Sequence, residues 1–256
     1  RFQVVAVSGK LSDAADIELP VWTPATTEAF ATYGQIDGSQ PGQNAVVQAV
    51  AAPANVVPGF GGIEITTSST TLHALTDAYL YLAKYPYGCA EQVASRVLAT
   101  AALRDVLAAF KAEGLPDAKE LIAAVGRDIK KLQGLQYPDG GFGWWNRKYR
   151  SNPYLSVHVI HALARARQKD FTVPEVMVRR AQQYLLNIDK HIPKEYPEVC
   201  RTTIKAYSLY VFKTLSGKKG PGKNTLTAAR RLLENTPQKK MPLEAAGWLL
   251  TVLASD

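Results

Sequence analysis

The sequence lacks most features that mark membrane-spanning or disulfide-rich proteins. No apolar stretch is long enough to cross a bilayer, no basic-then-apolar leader precedes the chain, and no Asn-x-Ser/Thr sequon occurs, which is compatible with a bacterial source. Two cysteines among 256 residues allow at most one disulfide. The chain begins at Arg1 and not at Met, so we interpret it as a piece of a longer protein.

Charge is scarce at the start of the chain and mostly positive in the remainder. Residues 1–70 hold 2 basic and 6 acidic side chains, whereas the whole chain has a formal charge of +8. A hydrophobic content of 46% is enough for a packed core and excludes global disorder. The basic clusters are dispersed and lack interleaved aromatic residues, which favours a solvated surface over a nucleic-acid site.

Residues 1–70 have the pattern of short strands separated by turns. β-branched segments alternate with Gly and Pro, and this pattern predicts a partial antiparallel β domain. The predicted strands are Phe2–Val7, Ile17–Leu19, Ala45–Val50 and Ile63–Thr67.

Residues 71–256 change to a period near 3.6, which predicts eight helices. Asp117 is a candidate N-cap, and Pro174 and Pro242 are candidates for first turns. The even spacing favours stacked helical hairpins in a ring or solenoid. The last five predicted helices are Tyr154–Arg167, Pro174–Asn187, Val199–Leu215, Asn224–Glu234 and Pro242–Ala254.

The segment Tyr85-Pro-Tyr-Gly-Cys-Ala-Glu-Gln92 carries the most specific chemistry. Pro86 and Gly88 favour a turn before a helix, and Cys89 and Gln92 stand three residues apart at its start, so their side chains can touch. A thiol held against a carboxamide can displace ammonia and form an internal thioester. The resulting acyl group would react with amines or hydroxyls.

This segment resembles the Pro-x-Gly-Cys-Gly-Glu-Gln motif of the α2-macroglobulin and complement family, with Ala90 replacing the second Gly. Tyr137-Pro-Asp-Gly-Gly-Phe-Gly-Trp-Trp145 and Asn152-Pro-Tyr-Leu-Ser-Val157 are similar to a glycine-aromatic loop and a helix start of its thioester domain. The segment from Leu19 to Gly34 is similar to the β segment that precedes that domain in bacterial members.

The resemblance implies a mainly α protein, with an α/α toroid-like thioester domain at 71–256 after part of a macroglobulin or CUB-like β domain at 1–70. We expect an incomplete ring, cut at Asp256. The implied function is protease inhibition and not enzymatic catalysis. Cys89 would supply the thiol, Gln92 the acyl group, and Lys amines of target proteases the nucleophile, without a cofactor or metal.

A reactive acyl group needs protection from water, and aromatic residues near the motif are candidates for this cover. They are Tyr85, Tyr87, Trp144 and Trp145, with a neighbouring domain of the parent chain as a further cover. Glu91 occupies the acidic position of the motif, and we assign no chemical step to it from the sequence.

Among the four histidines, His191 lies where some complement relatives have a histidine that assists acyl transfer. If no histidine acts, amines should be preferred over hydroxyls. His158 and His161 lie three apart on a helix without a third ligand nearby, so we interpret them as ordinary helix residues. Cys200 is interpreted as packed core.

The resemblance implies a periplasmic or extracellular location, and we expect the parent to be anchored to the bacterial inner membrane as a lipoprotein. The expected partners are target proteases and the rest of the parent chain, without nucleic acid. Two alternatives stay open: a thioester-based adhesin, and an α/α-ring terpene cyclase or prenyltransferase, which would need an acidic or zinc centre in the ring.

Overall fold

A computed structural model describes residues 1–21, 26–36, 42, 45–51, 53–54, 56–67, 74–110, 117–220 and 222–254. The chain divides into two compact units, Arg1–Thr67 and Ser68–Asp256. The division lies three residues before the predicted boundary at residue 70. His73 and residues 22–25 of the upstream family-like segment lie outside the described residues.

The described part of the first unit contains one antiparallel hairpin, with β1 at Phe2–Ser8 and β2 at Leu11–Ile17. The valines of β1 favour an extended backbone, and Gly9 takes the positive φ of 60° that a two-residue turn requires. Of the predicted strand Ile17–Leu19, Ile17 alone lies in β2, and the rest of β2 was not predicted. The segments 45–50 and 63–67 form no strand, so those two predictions are wrong; neither has a hydrogen-bonded strand partner among the described residues.

The second unit is helical, and the prediction of a mainly α protein is confirmed. The last five predicted helices match observed ones within two residues at each end. A single-turn helix, α6, was not predicted. The described helices are α1 Ala74–Lys84, α2 Ala90–Phe110, α3 Ala118–Leu135, α4 Pro153–Gln168, α5 Glu175–Leu186, α6 Ile188–His191, α7 Glu198–Ser216, α8 Gly222–Asn235 and α9 Leu243–Leu253.

Local capping explains where several helices begin. Asp117 accepts a hydrogen bond from the amide of Glu120, whose side chain bonds back to Asp117, a complete capping box at the start of α3. Asn152 caps α4 through the Leu155 amide. Pro174 and Pro242 lie at the N-cap and not in the first turn, one residue earlier than predicted.

Helix α4 is the centre of the second unit. It packs against α2 on one side and α7 on another, and α7 in turn packs against α9. Ten of its residues are buried, including Leu155, Ile160 and Leu163. Ser156 of α4 is buried among these helices, and His158 and His161 are partly buried. No helix in the described parts of the chain is long and apolar enough to span a membrane.

Candidate thioester site

The cysteine motif lies in the link between α1 and α2. Helix α1 ends at Lys84, residues 85–89 are not helical, and α2 begins at Ala90. The carbonyl of Cys89 accepts from the Val93 amide at 3.0 Å, so Cys89 is the N-cap of α2. Gly88 leaves room for the Lys131 side chain of α3, whose ammonium occupies the space that a Cβ would fill.

The carboxamide of Gln92 folds back onto Cys89. The Cys89 amide donates a 2.9 Å hydrogen bond to Gln92 Oε1, which holds the carboxamide beside the residue that carries the thiol. Cys89 is 6% exposed and its thiol is free of any disulfide. The structure therefore brings the two residues together as their spacing predicts.

The glycine-aromatic loop is bonded directly to the start of α2. The Ala90 amide donates a 2.7 Å hydrogen bond to the carbonyl of Trp144, satisfying one of the free amides of the first helical turn. Within the loop, Phe142 is fully buried and its amide donates to Ser156 Oγ on α4 at 2.8 Å. The loop thus ties the first turn of α2 to the first turn of α4.

Aromatic rings surround the motif without closing over it. Tyr85 lies between Tyr81 and Tyr87, with ring centroids 5.7 and 5.6 Å apart. Tyr87 is 67% exposed and Trp145 is 74% exposed, while Tyr85 is only partly buried. Burial of Cys89 therefore does not depend on a closed aromatic lid.

Glu91 joins a row of polar side chains that continues into the helical core. Ser95 Oγ donates to Glu91 Oε1 at 2.7 Å and lies 3.0 Å from His158 Nε2. Tyr207 connects His158 Nδ1, at 3.5 Å, with His161 Nδ1, at 2.9 Å. Burial lowers the pKa of His158, against an opposing effect of the Glu91 carboxylate, and lowers the pKa of His161 to about 4.

His191 lies at the end of α6, beside the glycine-aromatic loop. Its ring stacks on Tyr184 with centroids 4.0 Å apart, and its Nδ1 is 3.8 Å from the Asp139 carboxylate. Burial lowers the pKa of His191, while Asp139 opposes that effect. The histidine is thus connected to the loop that touches α2.

The described residues contain no cluster of three or more metal-binding side chains. His158 and His161 both face Tyr207. The cyclase alternative therefore has no acidic or zinc centre in the part of the chain that the structure describes.

Sequence reasoning misplaced one cysteine and missed two polar residues. Cys200, interpreted as core, is exposed in the first turn of α7, because the buried face of that helix passes through Thr202 and Ile204 instead. Ser95 and Tyr207 were not singled out. The position of Ser95, four residues after Glu91 on one helix, was a usable signal, whereas nothing local indicated Tyr207.

No family model matches the chain. It is similar over 99% of its length to the circularly permutated Ras protein 2 of Dictyostelium discoideum, at 26% identity, and over 71% to the α2-macroglobulin of Thermotoga maritima, at 28%. The chain spans 7% and 10% of the lengths of these two relatives.

A solved structure of Salmonella α2-macroglobulin reacted with methylamine has the same fold. Its TM-score is 0.56 at 24% identity, and the match covers 70% of this chain and 12% of that one. Several further curated bacterial proteins similar to the chain are also named α2-macroglobulin. The motif, the helical fold and these relatives agree, and the chain is α2-macroglobulin-like, with its similarity to the bacterial members.

Proposed function

We propose that Cys89 and Gln92 form an internal thioester and that the protein inhibits proteases by capturing them covalently. The observation that carries this proposal is the 2.9 Å hydrogen bond from the Cys89 amide to Gln92 Oε1. It fixes the acyl carbon next to the residue that bears the thiol. Orientation of this kind raises the effective concentration of intramolecular partners to about 10⁵ M or more.

The chemistry has two steps. In the first, Cys89 Sγ attacks the carboxamide carbon of Gln92, the C–N bond breaks, and ammonia leaves with the thiol proton. In the second, a Lys amine of a protease attacks the same carbon, a C–N bond forms, the C–S bond breaks, and the amine proton restores the Cys89 thiol. The product is an isopeptide link between Gln92 and the protease.

Burial of the cysteine supports the survival of such a bond. Cys89 is 6% exposed, and the Ala90 amide is held by the Trp144 carbonyl, so the start of α2 is covered by the glycine-aromatic loop. Excluding water slows hydrolysis of a reactive acyl group. The Trp144 backbone is part of this cover, and we propose that a neighbouring domain of the parent protein completes it.

The relatives support the inhibitory role. Proteins of the α2-macroglobulin family are protease inhibitors and not enzymes. The Salmonella relative is described as reacted with methylamine, a small amine of the kind that opens a thioester. Bacterial relatives are periplasmic or secreted. We propose the same location for this protein, and a lipoprotein anchor on its parent chain.

The mass of the intact full-length protein tests the thioester. A linked pair lowers the mass by one ammonia, and methylamine adds its own mass at Gln92 and releases the Cys89 thiol. Cys89→Ser and Gln92→Ala are expected to show neither change. Cys200→Ser removes an exposed cysteine and is the matched control, with the behaviour of the unaltered protein.

An alternative account of the same hydrogen bond predicts a different mass. A glutamine three residues after an N-cap can accept a hydrogen bond from the backbone amide of the N-cap residue, as half of a capping box and with no covalent link. In that case the freshly purified protein has the full sequence mass, carries a free Cys89 thiol, and does not incorporate methylamine. That result would refute the proposed function.

A further inference from the structure

Five polar side chains from three helices form one continuous row. Glu91 and Ser95 lie on α2, His158 and His161 on α4, and Tyr207 on α7. The successive contacts are 2.7, 3.0, 3.5 and 2.9 Å. The row begins at a partly exposed carboxylate, 44% exposed, and ends at a histidine whose Nε2 is buried.

Hydrogen-bonding capacity gives this row a direction. The Glu91 carboxylate only accepts, so the single hydroxyl proton of Ser95 points to it. Ser95 Oγ must then accept from His158 Nε2, which fixes the proton of the neutral imidazole on that nitrogen.

The remaining contacts agree with this assignment. With its proton on Nε2, His158 offers Nδ1 as an acceptor to the Tyr207 hydroxyl, and Tyr207 accepts in turn from His161 Nδ1. Burial lowers the pKa values of both histidines, which keeps the imidazoles neutral near pH 7. All donors therefore point toward Glu91.

Glu91, at one end of the row, is the chain neighbour of the acyl residue Gln92. Glu91 immediately precedes Gln92 in the first turn of α2, and Ser95 follows them by four and three residues, the spacings at which helix side chains can touch. Ser95 holds Oε1 of the carboxylate, so the second oxygen, Oε2, is the one available to a nucleophile. A side chain that would otherwise be mobile is thus held in place one residue before Gln92.

We propose that Glu91 accepts the proton of the attacking amine and that Ser95 and His158 are positioning residues that hold its carboxylate. This inference rests on the proposed thioester function. The amine nitrogen bonds to the acyl carbon of Gln92 and gives a proton to Glu91 Oε2. The C–S bond then breaks, and the proton passes to the Cys89 thiolate, leaving an amide, a thiol and an unprotonated Glu91.

Amine kinetics on the full-length protein test the assignment. The mass first establishes that each variant carries the thioester, and the rate of thiol release by methylamine is then measured. We expect Glu91→Gln to slow the reaction about 100-fold, and Ser95→Ala and His158→Phe about 10-fold each. His158→Gln keeps an amide donor near the Nε2 position and is expected to recover most of the rate.

A double-mutant comparison separates positioning from a general effect on the fold. If Ser95 and His158 act through the carboxylate, adding Ser95→Ala or His158→Phe to Glu91→Gln slows the reaction no further. Ser216→Ala is the matched control, because the Ser216 hydroxyl donates to the Phe212 carbonyl of its own helix. It is expected to react at the unaltered rate.

Three results would overturn the inference, and a fourth would also refute the proposed function. The inference is wrong if Glu91→Gln reacts at the unaltered rate, or if adding Ser95→Ala or His158→Phe makes Glu91→Gln slower still. It is also wrong if Glu91→Gln lacks the thioester, since the carboxylate would then act in forming that bond. Absence of the thioester from the unaltered protein would refute the proposed function itself, and this inference with it.

Discussion

The guanidinium of Arg96 on α2 donates two hydrogen bonds to the carboxylate of Asp128 on α3, at 2.7 and 2.6 Å. Both side chains are largely buried, with 21% and 12% exposed. The bond to Asp128 raises the pKa of Arg96 above its ordinary value, against the effect of burial. This pair joins α3 to the helix that follows Cys89.

Removing the charge of Asp128 is expected to destabilise the helical unit strongly. Asp128→Asn leaves the Arg96 cation buried without its counterion, which costs about 3–5 kcal/mol in comparable pairs. Urea denaturation measures the loss. Glu175→Gln at the exposed pair with Arg167 is the matched control, with an expected cost below about 1 kcal/mol. Equal effects at the two sites would contradict the interpretation.

A methyl group at Gly140 is expected to disrupt the glycine-aromatic loop. Gly140 has φ of 94°, and an added Cβ would overlap the Arg180 carbonyl oxygen of α5. We expect Gly140→Ala to cost about 2–4 kcal/mol, from backbone strain and the clash together. The midpoint of thermal unfolding reports the change.

Gly126→Ala is the control for that substitution. Gly126 lies inside α3, where an added Cβ meets nothing within 4 Å. Alanine favours a helix over glycine by about 0.5–1 kcal/mol, so this variant should be slightly more stable than the unaltered protein. If Gly126→Ala also destabilised the protein, the loss at Gly140 could not be assigned to strain and a clash in the glycine-aromatic loop.

Stability is expected to fall in acid because of His161. Its pKa is about 4 in the folded protein against an ordinary 6.5, so below pH 6.5 the unfolded chain binds a proton that the folded chain does not. The contribution of His161 to the free energy of unfolding is fully present above pH 6.5. It is lost as the pH is lowered to about 4, by about 3 kcal/mol in total.

Denaturant titrations at several pH values, with and without His161→Phe, measure this contribution. The variant should lose less stability between neutral pH and the folded pKa than the unaltered protein. His158, whose pKa burial also lowers, adds a slope of the same sign in both proteins. Identical slopes would show that His161 does not cause the acid sensitivity.

The two cysteines are expected to differ in thiol reactivity. Cys200 is exposed and should react with a thiol reagent in the native protein, whereas Cys89 should not react until methylamine is added. In Cys200→Ser protein the background disappears, and the thiol released at Cys89 becomes the only signal. A Cys89 thiol that reacts without methylamine would count against the linked pair.

Local spacing allowed the centre of the candidate site to be predicted, because Cys89 and Gln92 meet within one helical turn. Long-range partners were not accessible in the same way. The Ala90–Trp144 hydrogen bond and the contact between Ser95 and His158 depend on how α2, the loop and α4 pack, which no short-range pattern specifies.

The helices were predictable where apolar periodicity and caps agree, as at Asp117. Strands at 45–50 and 63–67 were wrongly predicted from β-branched content alone, because a strand also needs a neighbour to satisfy its backbone groups. Cys200 was misplaced because a change of one residue along a helix is enough to move a side chain from the buried face to the solvent face.

The bond between the Ala90 amide and the Trp144 carbonyl uses backbone atoms alone, so it constrains chain length more than residue identity. An exposed side chain of this loop, such as that of Pro138, can change with the carbonyl still in register, whereas one inserted or deleted residue would move it away from α2. Natural variants of this protein should therefore conserve the number of residues in this connection more strictly than the exposed indole rings beside it.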